Sequence, residues 1–193
     1  MVLDIKYQDS FSRIQLLVRS LFGWFYICIP HAICLFFMGI AARILQFISF
    51  WGIIYNGKYP KDFFNFQVKY LSWQTRVRAS LFNLIDPYPK VGLESIQKGV
   101  ELEIPYNDNI RRSDVFIRGL FGVIYVGLPH GFFLFFRIIA TQILIFLSFW
   151  IVLFTGCYPK SFHSFNVGTI RWLTRVASYL GYLTHDYPIF SGK

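Results

Sequence analysis

The chain aligns with itself when it is shifted by 99 residues, and this internal repeat constrains its fold more than any other feature. Without a gap, 38 of the 87 aligned positions are identical, including the Pro-His pairs that end at His31 and His130. Low-complexity apolar sequence alone would not preserve histidines, prolines and arginines at matching positions. We therefore predict a mainly α-helical protein built from two tandem copies of one structural unit.

Each unit is predicted to contain a short strand, an apolar block and an amphipathic helix. Apolar and polar residues alternate over residues 3–7 and again over 102–106, which is the period of a half-buried strand. A lone strand is unstable in water, so we expect the two strands to pair with each other or with a partner. The predicted boundaries are unit one at 1–90, a linker with the second strand at 91–112, and the helical part of unit two at 113–193.

The apolar blocks, at about residues 20–55 and 119–154, predict an integral membrane protein. Hydrophobic residues make up 55% of the chain and charged residues 15%, too few to coat a soluble domain of 193 residues. Aromatic residues reach 21%, which is typical of chains with rings at the lipid headgroups. The net charge is +9, but the basic residues stand singly beside apolar blocks. This pattern favours anionic membrane lipids over nucleic acid as partners.

Each apolar block is too long for one straight membrane helix. A helix of about 36 residues reaches about 54 Å, whereas the hydrocarbon core is about 30 Å thick. We predict a membrane hairpin in each unit, at about 14–56 and 113–155, because Arg43 and Arg137 would then snorkel from its tip. The alternatives are a re-entrant hairpin, or one tilted span separated from an interfacial helix at the proline of the Pro-His pair.

After each block, large apolar residues recur at steps of three and four. This period predicts amphipathic helices over about 61–85 and 160–184. Helices of this kind lie in the membrane surface or pack against the hairpin. Asp9, Asp86, Asp108 and Asp186 lie near the expected membrane exits, where we expect salt bridges or helix caps.

Two sets of residues are candidate sites. His31 and His130 form a candidate intramembrane polar pair that would bind a lipid phosphate or relay a proton. The alternative, which we favour, is that each imidazole only hydrogen-bonds a backbone carbonyl or a tyrosine. The second set consists of candidate headgroup or interface contacts, with ordinary anchoring as the alternative: Trp73, Arg76, Trp172 and Arg175.

The sequence contains no pattern typical of an active site. No nucleophile is placed with a base, and there is neither a Gly-rich phosphate loop nor a paired acidic motif. The three cysteines have no metal-ligand spacing. We therefore expect no enzymatic activity, no catalytic residues, no metal and no cofactor.

The ordered motifs of each unit resemble a known family. They are an alternating strand, Pro-His, an apolar run ending in Phe-Trp, Gly-x-Tyr-Pro, Trp-x-x-Arg-Val, and a closing Asp with Tyr-Pro. This combination resembles a bacterial membrane-protein family known as domain of unknown function 4389, and the resemblance covers both units. It implies a bacterial inner-membrane protein but brings no activity, substrate or catalytic residue.

The function expected from these features is that of an accessory or scaffold subunit. Such a subunit would anchor or stabilise a larger membrane-protein partner and contact lipid. The alternative is a small transporter or lipid-handling protein with a path between the two units. In either case we expect the termini and the linker to lie in the cytosol, because basic residues flank both ends of each apolar block.

Overall fold

The computed structural model describes residues 1–107 and 110–193, so the predicted role of Asp108 lies outside the described residues. Its helices and strands follow the same order twice. In chain order they are β1 (Val2–Ile5), α1 (Arg13–Gly23), α2 (Ile29–Asn56), α3 (Lys61–Leu81), β2 (Val100–Glu103), α4 (Arg112–Gly122), α5 (Leu128–Thr155) and α6 (Lys160–Leu180). We call residues 1–99 the first half and residues 100–193 the second half.

The first two helices of each half form one long helix, because only a π-helical turn separates them. These turns are Trp24–Cys28 and Val123–Gly127. A proline, which has no N–H to donate, lies just after each turn. The residue before the proline donates its N–H to the carbonyl five residues back, as Ile29 does to Trp24 O, which is the π-helical pattern. The result is two helices of 44 residues, each long and apolar enough to cross a membrane.

The predicted hairpins were wrong, because α2 and α5 run without a break through the expected turn positions. Gly39, where the turn was expected, instead allows α3 to pack closely on α2. A Cβ atom at this position would lie 2.8 Å from the hydroxyl of Tyr70 in α3. Arg43 and Arg137 therefore lie within helices and not at hairpin tips. The alternative of one helix divided at the proline is closer, although the proline marks a π turn and not a break.

Glycine ends both long helices. Gly57 and Gly156 have φ of 72° and 77°, the left-handed conformation that closes a helix without a steric penalty. Pro60 and Pro159 then precede α3 and α6, and the chain returns along the helix it has just left. This reversal makes α3 antiparallel to α2, and α6 antiparallel to α5.

The two long helices lie antiparallel and contact each other at both ends. At one end, Phe11 N–H donates to Gly156 O at 2.8 Å, just before α1 and after α5. At the other end, Gly119 of α4 lies against the Phe50 ring of α2. Each half therefore completes the other, because the start of one long helix packs on the end of its counterpart.

Beneath the long helices, α3 and α6 form a central pair. Ala79 of α3 shares a core with Val167 and Ile170 of α6. Both helices are buried on several sides, as Gln67 and Thr75 of α3 show, being 7% and 0% exposed. Of the two expected positions for these helices, the membrane surface was therefore wrong. Packing against the apolar helices is what the structure shows, and α3 and α6 form the interior of the molecule.

The strands pair with each other, as the alternating patterns predicted. The pairing of β1 with β2 is antiparallel, with Leu3 opposite Leu102 and Ile5 opposite Val100. The inward residues Leu3 and Ile5 pack onto the central pair, while Asp4 faces outward. The sheet thus covers α3 and α6 on the side away from the long helices.

Candidate functional site

The two histidines of the apolar blocks are each bonded to a tryptophan of the central pair. Trp73 Nε1 donates to His31 Nδ1 at 2.9 Å, and Trp172 Nε1 donates to His130 Nδ1 at the same distance. His31 is 1% exposed and His130 is 0% exposed. Because each Nδ1 accepts a hydrogen bond, the proton of the neutral imidazole is on Nε2.

The indole N–H donors were not among the expected histidine partners, whereas the backbone of Pro89, which also hydrogen-bonds the His31 imidazole, is a partner of the expected kind. Tyrosine is nevertheless close: the rings of Tyr88 and Tyr187 lie 5.4 Å from His31 and His130, respectively. Phe190 stacks on His130 at 3.9 Å. Within the described part of the chain, no three His, Cys, Asp or Glu side chains are placed to hold a metal ion. The geometry is that of a buried hydrogen bond enclosed by rings.

Neither tryptophan is a lipid-interface residue, in contrast to the prediction. Trp73 and Trp172 are only 3% and 5% exposed, and their polar atoms bond to the histidines. A tryptophan at the headgroup level keeps its N–H near water. The indoles instead fasten each central helix to its long helix.

The two arginines predicted as headgroup contacts hold backbone segments of the protein itself. Arg76 donates to the carbonyls of Gly92 and Ser95, at 2.5 and 2.6 Å. Arg175 donates to those of Ser191 and Lys193. Burial lowers the pKa of both guanidinium groups below the ordinary value. Each arginine therefore holds the segment that follows its helix pair through bonds to backbone carbonyls.

The two arginines predicted at hairpin tips have different surroundings. Arg43 is exposed and donates to Gln46 Oε1 at 3.1 Å on the same helix. Arg137 folds inward, where it donates to Thr169 Oγ1 at 2.9 Å and lies 4.2 Å above the Phe165 ring. Since Arg43 aligns with Gln142 and Arg137 with Met38, these charges are not part of the repeat.

A cleft of about 540 Å³ lies beside Arg43, between α2, α3 and the end of α6. Its polar side chains come from the first half: Arg43, Gln46, Gln67, Tyr70 and Gln74. Apolar residues such as Phe36 and Ile40 also line it. At the matching place in the second half, the Arg137 side chain packs against Thr169. The two halves thus differ at this place, where the first half contributes the polar side chains of the cleft.

A buried ion pair was not singled out as a site from the sequence. Arg19 is 5% exposed and donates to Asn83 Oδ1 and Ile85 O, both at 2.7 Å. Its Nη2 lies 3.7 Å from Asp86 Oδ1, and Asp86 also accepts from the Ser12 N–H at the start of α1. The predicted salt-bridge and capping role is confirmed for Asp86. The signal was the arginine repeated at Arg19 and Arg118.

Comparison with known proteins gives one match. The model of a family described as "Domain of unknown function (DUF4389)" matches residues 112–192, which include α4, α5 and α6. No curated protein and no solved structure matches the chain. The matched residues contain His130, Trp172 and Arg175, so the buried pair of the second half lies inside the family domain.

Proposed function

We propose a function from the surface of the molecule, since the family model that matches residues 112–192 is described as a domain of unknown function (DUF4389). The protein is a non-enzymatic scaffold subunit that binds the bacterial inner membrane and anchors or stabilises a larger membrane-protein partner. Its two halves are tandem copies of one unit, which the equal order and equal lengths of their helices support.

An apolar stripe along each long helix carries this proposal. Exposed apolar residues recur at steps of three and four and occupy the same aligned positions in both halves. On α2 the stripe consists of Ile29, Ile33, Phe36, Phe37, Ile40, Ile44, Phe47, Ile48, Trp51 and Tyr55. On α5 it consists of Leu128, Phe132, Phe135, Phe136, Ile139, Ile143, Phe146, Leu147, Trp150 and Phe154. Contiguous apolar surface of this extent is typical of membrane or protein contacts.

Basic residues at the ends of the stripes support an anionic membrane as the partner. Arg13 and Lys160 lie at one end of the helix pair, and Lys58, Lys61 and Arg112 lie at the other, all exposed. Basic side chains near a membrane surface gain about 1 kcal/mol each from anionic lipid. The excess of basic residues also supports the cytosolic side of the membrane, with termini and linker in the cytosol.

Lipid handling is the second candidate function, and the cleft of the first half favours it. A space of about 540 Å³ has the size of a small-molecule site, and it combines apolar walls with a guanidinium and three amides. Residues Ala177, Gly181 and Leu183 of the second half also line it. A lipid headgroup held there would lie between the two halves.

Flotation with lipid vesicles tests membrane binding. The double variant Phe36→Glu/Phe47→Glu introduces two carboxylates into the α2 stripe, and Phe135→Glu/Phe146→Glu does the same on α5. We expect both variants to lose most of their binding to vesicles of phosphatidylglycerol and phosphatidylcholine. The matched control is Ile96→Glu, because Ile96 is 81% exposed but lies outside the long helices. Binding by both double variants equal to that of the wild type would refute the proposal.

Extraction in mild detergent separates the two candidate functions. Recovery of the protein with a stoichiometric membrane-protein partner supports the scaffold function. Recovery of the protein alone with bound phospholipid supports lipid handling. In the second case, Arg43→Gln should reduce the phospholipid recovered with the protein, because it removes the only guanidinium that lines the cleft.

A further inference from the structure

We infer that the two long helices lie flat in one leaflet of the membrane and do not cross it. The inference rests on the proposed membrane binding. In this orientation the acyl-chain region of a single anionic leaflet covers both stripes, while the sheet and the linker remain in water. By length and composition, these helices could also span a membrane. Three features of the structure favour the flat orientation.

The first feature is the length of the exposed apolar surface. On the first long helix it runs from Ile14 to Tyr55, both more than 70% exposed. At 1.5 Å per residue these residues lie about 60 Å apart. Covering that length inside a hydrocarbon core of about 30 Å requires a tilt of about 60°, whereas spanning helices tilt by 0–40°. A helix lying in the membrane plane has no such limit.

The second feature is the path of the linker, which runs along the whole length of the helices. The linker begins after Asp86, which lies beside Arg19 near one end of the first long helix. It reaches the other end of that helix at Tyr59, where Tyr106 Oη donates to Tyr59 O at 2.5 Å. Between these points it passes the middle of the molecule, where Glu94 bonds to Lys69. In a spanning orientation, this polar segment would have to cross the membrane as well.

The third feature is the position of exposed charge. The side chains of Lys69 and Glu94 are 42% and 81% exposed, and the next residue, Tyr70, reaches the Leu35 carbonyl at the middle of the long helix. The sheet also carries exposed charge, since Lys6 and Glu101 lie 3.9 Å apart with side chains more than 60% exposed. Charged groups of this kind are costly inside hydrocarbon.

Together these features give the molecule one membrane side and one water side. The stripes lie on the outer surface of the long helices, and the sheet contacts the central pair, β2 against α3 and β1 against α6. An amphipathic body of this kind enters a leaflet to a depth of about 5–10 Å. The flat orientation also allows Arg43, at the edge of the α2 stripe, to reach the headgroups.

Depth measurements along the stripe test the orientation. In a variant with alanine at positions 28, 34 and 157, single cysteines replace Val18, Ile33 or Ile48, which are exposed along the first long helix. Each carries a fluorophore, and lipids with quenchers at defined depths report its position in vesicles of phosphatidylglycerol and phosphatidylcholine. We expect the three labels to lie at equal depth, within about 3 Å, since a flat helix keeps one level.

A spanning helix gives a different result, with the label at position 33 deepest and the outer two about 10 Å or more nearer the surfaces. That gradient would overturn the inference while leaving membrane binding intact. A label at Ile96 should escape every quencher, as should one at Val2. If quenchers reach none of the stripe labels, both the orientation and the proposed function are wrong. Matched positions in the second half, Ile117, Phe132 and Leu147, repeat the measurement independently.

Discussion

The two halves differ most where each attaches the start of its long helix to the end of its central helix. In the first half, Arg19 meets a carboxylate, Asp86, together with two backbone carbonyls. In the second half, the matching Arg118 donates to the carbonyls of Tyr179 and Thr184, and its guanidinium lies 4.1 Å above the Tyr179 ring. The repeat preserved the arginine in both halves, whereas His185 stands at the position that matches Asp86.

This difference shows which part of the unit both halves require. A buried guanidinium that donates to backbone carbonyls of the segment after the central helix occurs in both halves, to Ile85 and Asp86 in the first and to Thr184 in the second. Buried carbonyls of such a segment need hydrogen-bond partners. The carboxylate is an addition in one half, and it also caps α1 through the Ser12 N–H. Among the described residues, the first half therefore has at this point a connection through a carboxylate for which the second half shows no counterpart.

Removing each arginine should give the largest effect and measures this difference directly. Arg19→Ala leaves a carboxylate and two carbonyls without their donor, so we expect a loss of about 3–5 kcal/mol of stability. Arg118→Ala breaks bonds to carbonyls only, and we expect about 1–3 kcal/mol. Denaturant unfolding in detergent micelles gives both values.

A matched exchange sharpens the same comparison. Asp86→His introduces the residue that the second half has at this position, and it should bring the effect of Arg19→Ala down to that of Arg118→Ala. An equal loss for the two single alanine variants in the original background would show that the carboxylate contributes nothing.

The local parts of the fold could be predicted from the sequence. Both amphipathic helices were predicted to begin at residues 61 and 160, where the structure starts α3 and α6. The strand pairing also follows from alternation. These features depend on period and on proline or glycine at helix ends, which a single sequence contains. What failed was the hairpin, since it came from fitting the apolar block to bilayer thickness and not from a signal for a turn.

The site was predicted only in its residues and not in its contacts. His31 and Trp73 are 42 residues apart, and nothing in a local pattern states that an indole will meet an imidazole. The same spacing separates His130 from Trp172. This equality does not predict a contact, because in a repeat without gaps any two residues have counterparts at the same spacing. Trp73 was assigned to lipid because amphipathic helices often lie at the surface, whereas here tertiary packing buried it on a second side.

Replacing the histidines should give an intermediate effect, equal in the two halves. His31→Leu or His130→Leu leaves a buried indole N–H without an acceptor, which costs about 1–3 kcal/mol. His→Gln should cost about 1 kcal/mol or less, because the amide oxygen also accepts a hydrogen bond. Equal effects are expected since the bond is 2.9 Å long in both halves. Thermal unfolding in detergent provides the comparison.

A double variant distinguishes structure from function at this pair. If the histidines are structural, His31→Gln/His130→Gln should keep vesicle binding and any phospholipid that the wild type carries. A double variant that is as stable as the wild type but has lost its bound phospholipid would make the pair a functional site. A difference of more than about 1 kcal/mol between the two His→Leu variants would show that Phe190, which stacks on His130, makes the two histidines unequal.

The smallest expected effect concerns His163, which stands where the first half has Phe64. His163 is 6% exposed and lies edge-on to Tyr7, and burial lowers the pKa of its imidazole, although Asp4 acts in the opposite direction. Because the pKa is lower in the folded protein, the unfolded chain takes up the proton first. Stability should therefore fall as the pH drops below the ordinary value of about 6.5.

Exchanging this residue for its counterpart should remove that pH dependence from the second half. His163→Phe should unfold at the same denaturant concentration as the wild type at pH 8 and at a higher one at pH 5. His185→Gln is the control. Burial and Arg118 lower the pKa of His185, whereas Asp114 and Asp186 act in the opposite direction. Because this side chain is only half-buried, its contribution to the pH dependence of stability should be smaller than that of His163. An unchanged pH profile in His163→Phe would mean that the imidazole has the same pKa in the folded and unfolded protein, with Asp4 balancing burial.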